Sequence, residues 1–97
     1  ISGIQFAFIY GSYAKGRENY LSDIDIVVIG MPDEDELVKR IDRLEEKLQR
    51  EINYNLYQLK EFAKEVKKKE PFVLEILRGN KIMLIGVENE LRKILER

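Results

Sequence analysis

A chain of 97 residues, 44% hydrophobic and 36% charged, is long enough for one globular core and too short for two. Its net charge of −1 supplies no global field toward nucleic acid. The absence of cysteine and histidine removes disulfides, thiolate metal sites, imidazole catalysis and imidazole-bound zinc, leaving carboxylates and the backbone to do any chemistry. No segment approaches the ~18 apolar residues of a membrane span, and no basic n-region with a cleavage site is present. The expectation is a single domain over residues 1–97, located in the cytoplasm. Because the chain starts at Ile1 and its first strand begins almost at once, it fits the C-terminal part of a longer chain.

Phe6 to Tyr10 is an apolar run of aromatic and β-branched residues, the profile of a buried central strand. Gly11 ends it, and Ser12 can cap a short helical turn closed at Gly16. Arg17 to Ser22 is polar and reads as a loop; Asp23 to Ile29 is a second strand, ended by Gly30. Asp33 to Arg50 is the clearest helix, with Asp33 as cap, Glu36 completing a capping box, and Leu37, Ile41, Leu44 and Leu48 forming a core-facing stripe. Ile52 to Tyr57 alternates, placing Ile52, Tyr54 and Leu56 on one face and Asn53, Asn55 and Tyr57 on the other. Two helices follow, from about Gln58 to Lys69 and from Pro71 to a stop at Gly79. Lys81 to Ile85 is a fourth strand at a sheet edge, and Glu88 to Arg97 a final amphipathic helix. This order predicts an α/β (α+β) fold, a small mixed sheet with most helices on one face.

The chemistry concentrates in Gly11 to Val28. Ten residues separate Ser12 from Asp23, and one residue separates Asp23 from Asp25 at the head of the second apolar run. Alternate strand residues share a face, so the two carboxylates project side by side and repel each other unless a cation lies between them. Hard oxygen ligands of this kind favour Mg²⁺ or Mn²⁺. Taken alone, such a pair is more often a solvated strand end.

The spacing Gly-Ser, ten residues, Asp-x-Asp resembles the signature of the DNA polymerase β-type nucleotidyltransferase superfamily, in particular its single-domain minimal nucleotidyltransferases. Gly11, Ser12, Asp23 and Asp25 carry the resemblance, with Ala14 and Gly16 at accompanying small-residue positions. Four fixed residue types at fixed offsets arise by chance on the order of once in a thousand chains of this size. The resemblance implies that Asp23 and Asp25 hold Mg²⁺ or Mn²⁺, while Gly11 and Ser12 cradle the phosphates of a nucleoside triphosphate, ATP first. Lys15 stands where many relatives have arginine, and with Arg17 it supplies phosphate-neutralising charge. The implied reaction transfers an NMP, AMP first, to an acceptor hydroxyl.

The resemblance also implies a third carboxylate on the strand after the long helix. There the sequence departs from the pattern, because the matching position is Asn53. An amide oxygen ligates a cation weakly and takes no proton from a nucleophile. Glu51 lies on the same face by period two and is the alternative third ligand. A second reading follows: a nucleotide-binding partner module without catalysis, beside a HEPN-domain protein as its antitoxin, or joined to a regulator. A third is an interaction domain that kept only the fold. The basic run Lys64, Lys67, Lys68 and Lys69 reads as a solvated helix end rather than a nucleic-acid patch.

Overall fold

The computed structural model describes residues 2–11 and 23–96. Its elements are β1 (Ile4–Tyr10), β2 (Ile24–Gly30), α1 (Glu34–Leu48), β3 (Ile52–Tyr57), α2 (Leu59–Lys67), α3 (Pro71–Arg78), β4 (Ile82–Ile85) and α4 (Glu88–Leu95). The expected turn from Ser12 to Gly16 and the loop that follows it lie outside the described residues.

The strands form one sheet in the order β3-β2-β1-β4. β1 pairs antiparallel with both β2 and β4, whereas β2 and β3 are parallel, as a strand–helix–strand crossover requires. The two most apolar strands therefore occupy the centre and are covered on both sides. Phe6, Phe8, Val27 and Ile29 pack with Phe62, Val73, Ile76 and Leu91 of α2, α3 and α4. On the opposite face Ala7, Ile9, Ile26 and Val28 meet Leu37 and Ile41 of α1. Three helices thus share one face and one helix the other, the mixed sandwich expected from the element order. β4 lies at the edge, also as expected.

At the start of α1, Asp33 Oδ1 accepts from Glu36 N at 3.0 Å, satisfying one of the orphan N–H groups of the first turn. The far end corrects the sequence reading. The helix stops at Leu48 rather than Arg50, because Gln49 turns left-handed with φ 55°. Leu44 and Leu48, expected in the core stripe, are 40% and 47% exposed. Burial along α1 is confined to Leu37 and Ile41, so its last two turns carry no buried side chain. The final helix likewise ends at Leu95, short of Arg97.

Between α3 and α4 the chain is held by an ionic group. The Lys81 side chain is 1% exposed, and its Nζ donates to the Leu77 carbonyl at 2.8 Å, the Gly79 carbonyl at 3.2 Å and Glu88 Oε2 at 3.1 Å. Arg92 donates to the same Glu88 oxygen at 2.8 Å. The Lys81 hydrogen bond, and next the Arg92 one, hold the Glu88 carboxyl below its ordinary 4.5. A depressed carboxylate contributes stability that is present above about pH 4.5 and lost as pH falls through the folded value. Urea titrations should show wild type and Glu88→Gln converging in stability as pH drops below that range. A gap that stays constant from neutral pH to pH 3 would reject this role.

Candidate active site

β1 ends where β2 and β3 begin, so one end of the sheet collects residues from three strands. In register, Tyr10 faces Asp25 across one ladder and Asp25 faces Asn53 across the next. All three lie on the α2–α4 face by alternation with Phe8 and Val27. Here the core gives way to polar side chains: Asp23 and Asn53 are exposed and Asp25 is half-buried.

The amide of Asn53 bridges the two carboxylates. Its Nδ2 donates to Asp23 Oδ2 at 3.2 Å and to Asp25 Oδ1 at 3.4 Å. A neutral donor between two like charges offsets part of their repulsion without supplying a charge of its own. Glu51 does not join them. Among the described residues no group of three or more acidic, histidine or cysteine side chains is placed to hold a metal. The Glu51 backbone serves the ladder instead, its carbonyl accepting from Ile24 N at 2.9 Å.

Gly11 completes the described part of the site. Its φ is +77°, a left-handed conformation that side-chain-bearing residues rarely adopt, and a Cβ there would stand 3.3 Å from Asp25 Oδ2. The backbone therefore turns directly against the carboxylate. Ser12, Lys15 and Arg17 lie outside the described residues.

Two neighbours escaped the sequence reading. Asn55 Nδ2 donates to the Tyr10 hydroxyl at 3.3 Å, and Tyr10 meets Phe72 edge-to-face with ring centroids 5.9 Å apart. Burial, and next the charge of Asp25, push the Tyr10 phenol above its ordinary 10. The phenol thus stays protonated at neutral pH and is no general base there. The one available signal was its position as the last residue before Gly11.

The two carboxylates are hard oxygen donors of the kind that suits Mg²⁺ or Mn²⁺, whereas Asn53 presents its N–H₂ group to them and adds no oxygen in this arrangement. The sequence profile of the polymerase beta nucleotidyltransferase family matches residues 2–86. The chain belongs to this family. Members of the superfamily generally work with a divalent metal. No curated protein matches the chain.

Among solved structures, a toxin–antitoxin complex with AMP-PNP is 21% identical, with a TM-score of 0.62 over 99% of this chain and 72% of that one. A variant of the MntA–HpeT toxin–antitoxin pair with two aspartates changed to glutamate is 19% identical, with a TM-score of 0.59 over 99% and 71%. A tri-AMPylated Shewanella oneidensis HEPN toxin in complex with MNT antitoxin is 19% identical, with a TM-score of 0.53 over 98% and 67%. At these identities the likeness shows the nucleotidyltransferase fold. Among the described residues no helix is long and apolar enough to cross a membrane.

Proposed function

We propose that the chain binds the Mg²⁺ or Mn²⁺ complex of a nucleoside triphosphate, ATP first, and transfers AMP to a hydroxyl of a protein or small-molecule acceptor in the cytoplasm. The observation that carries this reading is the pair Asp23 and Asp25, bridged by Asn53 and set against the left-handed turn at Gly11. Asp23 and Asp25 are the residues that would hold the ion, which when bound offsets charge on the α-phosphate and the departing pyrophosphate. Gly11 and Ser12 let backbone N–H groups approach the triphosphate, and Lys15 and Arg17 neutralise its outer oxygens. As the acceptor oxygen bonds to the α-phosphorus, the bond to pyrophosphate breaks and the hydroxyl proton passes to solvent. Calorimetric titration with Mg-ATP and Mg-GTP is the direct test, and no heat at millimolar nucleotide would sink the reading.

Asn53 favours a second reading, a domain that binds nucleotide without transferring it. A neutral amide at this position neither strengthens the hold on a cation nor accepts the acceptor's proton. The neighbour solved as a tri-AMPylated HEPN toxin with its MNT antitoxin supports a HEPN-domain protein as acceptor or partner. An Asn53→Asp variant separates the two. A gain of about 100-fold or more in AMP transfer over a silent wild type, on the scale of general-base effects, favours the binding module. Equal transfer by both forms favours an enzyme working with two carboxylates.

A further inference from the structure

A recess of about 190 Å³ opens beside Gly11 and runs under α3, lined by Tyr10, Gly11, Phe72, Glu75, Ile76, Gly79 and Asn80. We infer that it holds the base of the bound nucleotide and reads a base edge carrying an N–H donor beside a ring acceptor. This rests on the reading of the Asp23–Asp25 end as a triphosphate site.

Position comes first. Gly11 lines the recess, and a Cβ on it would stand 3.3 Å from Asp25 Oδ2, so a nucleotide with its phosphates at the aspartates has its nucleoside within reach of the recess. The walls are suited to a flat heterocycle. Ile76 is buried beneath, while Phe72 meets Tyr10 by an edge contact and remains 37% exposed, leaving ring surface for stacking.

Among the described residues the polar groups are few: the Tyr10 hydroxyl is engaged by Asn55, which leaves Glu75 and Asn80. Neither side chain hydrogen-bonds another described residue. A carboxylate only accepts, and it suits an exocyclic amine; an amide can donate to the adjacent ring nitrogen. Adenine presents that pair on both of its hydrogen-bonding edges. The backbone that carries both residues is fixed. Glu75 sits on α3, whose last turn is closed by Gly79 N donating to the Glu75 carbonyl at 2.9 Å. The turn bearing Asn80 is pinned by buried Lys81 through the Leu77 and Gly79 carbonyls.

The test compares Mg²⁺ complexes of ATP, purine riboside triphosphate (which lacks the 6-amine) and inorganic tripolyphosphate, titrated calorimetrically into wild type, Glu75→Ala and Phe72→Ala. Wild type should bind ATP about tenfold tighter than either comparison ligand, as expected for one amine contact or one stacked base. Glu75→Ala should bind ATP and purine riboside triphosphate alike. Phe72→Ala should weaken both nucleotides about tenfold and leave tripolyphosphate unchanged. If both variants bind ATP like wild type, or wild type binds tripolyphosphate as tightly as ATP, the base lies elsewhere while the triphosphate reading stands. Failure of wild type to bind any of the three overturns both.

Discussion

Asp25→Asn is expected to weaken Mg-ATP binding by at least about 100-fold, because the change removes a proposed metal ligand rather than one of the outer partners whose loss costs about 10–100-fold. The same substitution should leave the fold intact. Asp25 is half-buried at the strand head, and its neighbours Asp23 and Asn53 are exposed. Removing one of two adjacent carboxylates also relieves repulsion, so the metal-free variant should melt no lower than wild type at low salt. Calorimetry and thermal melts with and without Mg²⁺ give both readouts. Wild-type-like nucleotide affinity in Asp25→Asn would end the case for a metal site here, since its effect can be neither a folding defect nor a lost base contact.

Phe8→Ala should have the largest effect on stability. Phe8 is 0% exposed in the central strand β1 and belongs to the cluster that joins the sheet to α2, α3 and α4. Truncating a phenylalanine at such a site costs about 3–5 kcal/mol, a large share of the 5–15 kcal/mol that a typical domain has in total. In urea the midpoint should fall sharply with little change in slope. A loss under about 1 kcal/mol would mean that the two faces of the sheet do not share one cooperative core.

Sequence pattern carried the local structure well where one physical rule acted alone. Alternation in Ile52 to Tyr57 assigned both faces of β3, and those faces are observed: Tyr54 and Leu56 pack toward α1, Tyr57 toward α2. Asp33 caps α1 as its residue type and position predict. Spacing led from Gly11 to Asp23 and Asp25, and residues 2–86 match the family profile.

What sequence pattern did not carry depends on distances that only the fold sets. Leu44 and Leu48 continue the apolar stripe of α1, yet burial stops at Ile41, and no periodicity reports how far a helix stays in contact with the sheet. That β4 pairs with β1 is a choice among edges that its four residues do not encode. Tyr10 and Asn55 are 45 positions apart, and Phe72 reaches Tyr10 because α3 crosses the end of β1. The recess joins Tyr10 and Gly11 to the segment from Phe72 to Asn80, about 60 positions away. The phosphate-side residues expected from the resemblance, Ser12, Lys15 and Arg17, lie outside the described residues.

The position of Asn53 has a consequence for descent. Its side chain is exposed and touches only the two aspartates among described partners, while its backbone is fixed by the ladder to β2. A single nucleotide separates an asparagine codon from an aspartate codon. Exchange at this position would alter the charge of the site without repacking the core, so selection can act on reactivity and on foldability separately. On the two proposed readings, a lineage built on this sheet would pass between a transferase and a nucleotide binder by one substitution at an exposed side chain.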